Sequence, residues 1–146
     1  MILLDTNILS EFMRERPDSH ALAWLDSQSK SELFISSVTE AELRYGVERL
    51  PPGRRRDQLA DTVFSILTED FTARILPFDS AAALAYAIIC AARHRAGRPI
   101  SQFDAQIAAT ARSLGASLAT RDTGGFEGCG VDLINPWSAG GERKSE

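Results

Sequence analysis

Four acidic positions fall where strands of this chain would give way to helices or turns: Asp5, one of Glu40 and Glu42, Asp104, and Asp122. Asp5 ends the apolar run Ile2-Leu3-Leu4 and precedes Thr6 and Asn7. Glu40 and Glu42 open the helical pattern after Ser36-Ser37, Asp104 follows Ser101 by three residues, and Asp122 lies just past Ser117–Thr120. Carboxylates brought together from distant parts of a chain raise one another's pKa unless a cation joins them. Oxygen ligands without His or Cys favour Mg²⁺ or Mn²⁺ over zinc. Such an ion polarises a phosphoryl oxygen and acidifies water, the equipment of phosphodiester chemistry.

Taken singly, each acid has a plainer reading. Asp5 suits a helix N-cap, a role that Thr6 or Asn7 can also fill. Ser37-Val38-Thr39-Glu40 and Thr39-Glu40-Ala41-Glu42 both have the form of a capping box, and Asp104 stands in the same relation to Ser101. Asp122 beside Gly124-Gly125 reads as a polar turn residue. Their convergence at one place is what would turn four caps into a site.

The elements needed for that convergence are legible. Short apolar runs at Ile2–Leu4, Leu33–Ile35, Ile75-Leu76, Ser117–Thr120 and Val131–Ile134 predict buried strands. Helical spacing is expected from Thr6 to Arg14, from Ser19, through Leu43, Val47 and Leu50, over Arg54–Thr68, over Ser80–Arg95, and from Ser101 to Leu114. Pro51-Pro52-Gly53 and Gly97-Arg98-Pro99 punctuate them. Strands alternating with helices predict an α/β domain, a mainly parallel sheet covered on both faces, whose ligands gather beyond the carboxyl ends of the strands. A single domain over 1–138 is expected, with a frayed tail over 139–146.

Composition narrows the function classes. The 146 residues are 44% hydrophobic and 25% charged, which excludes a disordered chain or a coiled-coil rod. Sixteen Lys and Arg against twenty Asp and Glu leave a net charge of −4, so a sequence-indifferent nucleic-acid coat is disfavoured. Two cysteines and two histidines make no standard zinc site. The apolar opening stops at Asp5, and Ala81–Ala92 is shorter than a membrane span. A cytoplasmic, soluble protein is expected.

The stretch from Met1 through Asp5-Thr6-Asn7 to Ser10 resembles the opening of PIN-domain proteins, specifically the VapC/FitB-like toxin ribonucleases. Ser37–Gly46 resembles the family's second motif, in which an acid precedes Leu and stands four before Gly; this selects Glu42. Asp104-Ala-Gln-Ile-Ala-Ala resembles the third motif, Ala119-Thr120-Arg121-Asp122 with Phe126 the fourth, and Asn135-Pro136-Trp137 the close. The resemblance implies a three-layer α/β/α sandwich and an Mg²⁺- or Mn²⁺-dependent endoribonuclease, the toxin of a toxin–antitoxin pair. Asp5, Glu42, Asp104 and Asp122 would be its catalytic metal ligands, with Asn7 and Thr120 orienting carboxylates or waters and Arg121 meeting an RNA phosphate. Many relatives carry Asn where this chain has Asp122 and an acid where it has Gly125.

The same resemblance implies a small DNA-binding antitoxin and a homodimer. Phe12, Trp24 and Tyr45 are candidate antitoxin contacts, and Arg44, Arg93, Arg95 and Arg98 further phosphate contacts. The Ala81–Ala92 helix is a dimer surface on one reading and core on the other. A rival from another class is a non-catalytic binding module whose acidic pocket receives a partner's basic side chain. A metal-dependent phosphatase is weaker, because Asp5-Thr6-Asn7 lacks a second aspartate two residues after the first.

Overall fold

Three consecutive apolar residues bury both faces of a strand, and Ile2–Leu4 (β1) does so at the middle of a sheet. The computed structural model describes residues 1–138 and 141–146. Among these the order is β1, α1 (Thr6–Phe12), α2 (Ser19–Ser27), β2 (Leu33–Ser36), α3 (Ser37–Glu48), α4 (Arg54–Ser65), β3 (Ile75–Leu76), α5 (Ser80–Arg95), α6 (Gln102–Ser113), β4 (Ser117–Ala119), β5 (Leu133–Asn135) and β6 (Glu142–Lys144). The strands pair in the order β3-β2-β1-β4-β5-β6, parallel throughout except for β6. The chain order reverses between β1 and β4, where Leu4 stands beside Ala119. Beyond such a reversal the connections diverge to opposite sides and leave a crevice.

Alternation along the strands sorts the core into two layers. Ile2, Leu4, Ile35, Ala119 and Ile134 face a cluster with Ile8, Leu9, Trp24, Leu43 and Val63 from α1 to α4. Leu3, Leu118 and Leu133 face the other side, packing on Ile89 of α5 and on Ile107, Ala108 and Ala111 of α6. The expected three-layer sandwich is therefore the observed architecture. In α5, Ala82, Ala85 and Ile89 are core, as one reading of that helix expected, while Leu84 and Ile88 are exposed. No helix among the described residues is long and apolar enough to cross a membrane. Both cysteines are free.

Several boundaries differ from expectation for physical reasons. The helix expected to reach Thr68 leaves α-geometry after Ser65 and closes in a wide π turn over Ile66–Asp70. The tail expected to fray contributes β6, an exposed antiparallel edge on β5, and the Glu146 carboxylate accepts the Gly128 and Gly130 N–H groups. Residues 139 and 140, part of that expected tail, lie outside the described residues.

Candidate active site

Asp5 leaves β1 in extended conformation and caps α1, accepting the Thr6 N–H at 2.8 Å through Oδ1. Of the three capping candidates Asp5, Thr6 and Asn7, Asp5 takes the role, which frees the side chains of the other two. The Thr6 hydroxyl donates to Glu42 Oε1 at 3.0 Å and lies 3.0 Å from the Thr39 hydroxyl. Asn7 donates from Nδ2 to Thr120 Oγ1 at 3.3 Å and accepts the Arg121 N–H at 3.4 Å. The buried Thr120 hydroxyl donates to Asp5 Oδ2 at 2.8 Å and accepts the Asp122 N–H at 3.0 Å. One hydroxyl thus joins the end of β1 to the turn after β4.

Neither glutamate caps α3. Ser36 does, accepting the Thr39 N–H at 3.0 Å, while Glu40 pairs with Arg44 on the outer face. Glu42 therefore turns inward unencumbered by capping. Asp104 gives only its backbone N–H to the Ser101 cap, at 3.2 Å, so the cap leaves its carboxylate free.

Burial, resisted by the Thr120 and Thr6 hydrogen bonds, pushes the Asp5 pKa up to about 6, and the charges of Asp104 and Glu42 add to the rise. Glu42 is raised as well, first by burial and then by Asp104, against the Thr6 hydrogen bond. No lysine or arginine side chain offsets these charges at Asp5 or Glu42. Among the described residues no three acidic, His or Cys side chains form a ready-made cage for an ion. The donor set still fits a hard divalent ion that keeps several waters and needs only a few carboxylates.

Asp122 is arranged differently. It is exposed, its Oδ1 accepts the Gly125 N–H at 3.0 Å, and it is absent from the charges acting on Asp5. A Cβ on Gly125 would meet the Asp122 carboxylate, so a larger residue at 125 would have to turn that exposed side chain aside. A groove of about 700 Å³ opens on Thr6 and Glu42 and continues past Tyr45, Gly46 and Phe103 between α3 and α4.

The PIN domain family profile matches residues 2–128. The chain belongs to the PIN-domain family. It is 42% identical to the VapC ribonuclease Y4jK of Sinorhizobium fredii, over 94% of this chain and 98% of that one. It is also 42% identical to toxin FitB of Neisseria gonorrhoeae, over 94% and 99%. The structure of FitAB bound to an IR36 DNA fragment superimposes with a TM-score of 0.88 at 40% identity, covering 94% of this chain and 96% of that one.

In this PIN domain the site brings Asp5, Glu42 and Asp104 into electrostatic contact, with Thr120 and Asn7 hydrogen-bonded behind Asp5. Asp122 shares the Thr120 hydroxyl but spends its carboxylate on its own turn. Arg121 lays its guanidinium over the Trp137 ring, 5.3 Å from the centroid. Arg93, a candidate phosphate contact, is instead buried and donates to the carbonyls of Arg98, Gly125 and Glu127, so it cannot reach a ligand in solvent. Arg98 holds the same loop through Gly124 O, and Arg44 is paired with Glu40. Of the aromatic contact candidates, Trp24 is core, Phe12 is packed against the core and Tyr45 is exposed. The residues missed were Thr6 as the holder of Glu42 and Thr39 as the partner of the Thr6 hydroxyl, a link between α1 and α3 that no local spacing signals.

The Thr120 hydroxyl makes a testable contribution. Thr120→Val keeps the shape, leaves Asp5 Oδ2 and the Asp122 N–H without their partner, and is expected to cost about 1–2 kcal/mol in denaturant unfolding. Thr120→Ser should restore most of the loss.

Proposed function

We propose that this PIN domain is a metal-dependent endoribonuclease acting as the toxin of a toxin–antitoxin pair. The observation that carries the reading is the group Asp5, Glu42 and Asp104 at the sheet's switch point, where the charges of Glu42 and Asp104 bear on the buried Asp5. Mg²⁺ or Mn²⁺ held by these three would supply Lewis-acid polarisation of a phosphodiester and a more acidic water. The chain's own residues prepare that chemistry. Thr120 and the Thr6 N–H fix the two Asp5 oxygens, and the Thr6 hydroxyl fixes one Glu42 oxygen. Asn7 orients the Thr120 hydroxyl, and Asp122 holds the following turn and is offered as a fourth, outer carboxylate. Arg121, stacked on Trp137, is offered as a phosphate contact at the rim.

The relatives' names, a ribonuclease and a toxin, support this reading, and the FitAB complex on DNA supports a small DNA-binding antitoxin as partner. A second copy of the chain is a further proposed partner, with Leu84 and Ile88 as the exposed apolar pair on α5. RNA as substrate places the action in the cytoplasm. The test is cleavage of single-stranded RNA by the purified, partner-free chain. Cleavage is expected with Mg²⁺ or Mn²⁺, is lost on chelation and returns when the ion is restored. Undiminished cleavage in excess chelator contradicts the reading.

A further inference from the structure

The groove beside the acidic group has features that the site itself does not use. Tyr45 and Phe103 line it with 67% and 57% of their surfaces exposed, Tyr45 on the same helix as Glu42 and Phe103 next to Asp104 on α6. Large exposed rings set along a groove mark a binding surface. Arg49 and Arg55 line the same groove. Their neighbours Arg44 and Arg56 are paired with Glu40 and Glu48, whereas among the described residues no carboxylate pairs with Arg49 or Arg55. In a chain of net charge −4, two unpaired guanidinium groups in one groove select an anionic occupant.

Gly46 is the third feature. It lies within α3, outside the set of residues with positive φ, and a Cβ built on it meets nothing within 4 Å. The backbone does not require glycine here, and glycine weakens a helix relative to alanine. What the missing side chain does is keep the groove floor open one turn from Glu42.

We infer that this groove is the track of the RNA strand flanking the cleaved bond, with bases stacked on Tyr45 and Phe103, phosphates met by Arg49 and Arg55, and Gly46 keeping the floor clear. The inference rests on the ribonuclease reading for its choice of occupant. Because the groove opens on Glu42 and Thr6, a strand whose phosphodiester sits at the acids enters it directly. Rings offer stacking that tolerates any base and guanidinium groups offer charge for phosphates, the two things a single strand presents along its length.

The test measures binding of fluorescein-labelled single-stranded RNA in an Asp104→Asn background, and steady-state cleavage with Mg²⁺ in the otherwise native chain. Tyr45→Ala and Phe103→Ala should each weaken binding about tenfold and raise KM more than they lower kcat. Tyr45→Phe should stay within about twofold of wild type, since the ring does the stacking. Arg49→Ala and Arg55→Ala should weaken binding of all sequences and each lower the salt slope by about one. Gly46→Ala should raise the unfolding midpoint, and Gly46→Leu should weaken RNA binding at least as much as Tyr45→Ala while remaining folded. Cleavage with unchanged KM in all these variants overturns the groove and leaves the ribonuclease reading standing. So does a loss confined to affinity for a co-purifying protein. RNA bound through these residues but never cut supports the groove and removes the ribonuclease reading.

Discussion

Asp104→Asn should lower RNA cleavage by at least about a hundredfold while leaving the fold intact, because loss of one ion-holding carboxylate removes several kcal/mol of transition-state stabilisation. The variant is clean for a structural reason. The Asp104 backbone N–H, not its carboxylate, completes the Ser101 cap of α6, and the side chain is only half buried. Glu42→Gln should behave alike, since the amide can still accept from the Thr6 hydroxyl while the charge is gone. Cleavage rates at saturating Mg²⁺ beside thermal midpoints check both. A rate near wild type from either variant would return that acid to a capping or surface role.

Asp5→Asn should abolish cleavage and at the same time stabilise the metal-free protein. The Asp5 pKa stands at about 6 in the folded chain against an ordinary 3.8. Being raised, it means that the folded state holds its proton more tightly than the unfolded one. The group therefore costs nothing below pH 3.8, grows unfavourable as pH rises, and costs its full amount, about 3 kcal/mol, above pH 6. Asparagine carries no such charge and keeps an oxygen for the Thr6 N–H, but its amide nitrogen replaces the acceptor of the Thr120 hydroxyl, which offsets about 1–2 kcal/mol of the gain. In chelator, the variant should unfold on the order of 5 °C above wild type at pH 7.5, and the gap should close towards pH 4. A variant less stable at pH 7.5 would show that the carboxylate is there for capping.

Much of this architecture was legible because it rests on local signals. Ile2-Leu3-Leu4 before Asp5 and the glycine and proline stops marked the strands and helices that hold the two core layers. The strand order was not legible, since pairing Leu4 with Ala119 depends on where helices pack rather than on any spacing. β6 escaped because Glu142-Arg143-Lys144 carries no apolar pattern; its pairing with β5 is a backbone matter, with exposed side chains.

At the site, local pattern could not choose between Glu40 and Glu42. The choice becomes physical once Ser36 caps α3, Glu40 pairs with Arg44, and Glu42 meets Thr6. The arginines misled where burial decides. Arg93 looks like any surface cation in sequence, yet it is spent on the Arg98 carbonyl and on the Gly125 and Glu127 carbonyls of the loop after Asp122. The acidic balance that disfavours a nucleic-acid coat is compatible with a site that needs negative charge, provided a cation stands between acid and phosphate.

Asp5, Glu42 and Asp104 are proposed to hold together the divalent ion on which RNA cleavage would depend. The most direct measurement is a calorimetric Mn²⁺ titration of the partner-free chain at pH 7.5, in wild type and in Asp104→Asn. Saturable binding is expected in wild type, lost or greatly weakened in the variant, with cleavage activity rising along the same binding curve. Cleavage of RNA by a chain that takes up no Mn²⁺ at millimolar concentration, or equal Mn²⁺ binding in both proteins, would contradict it.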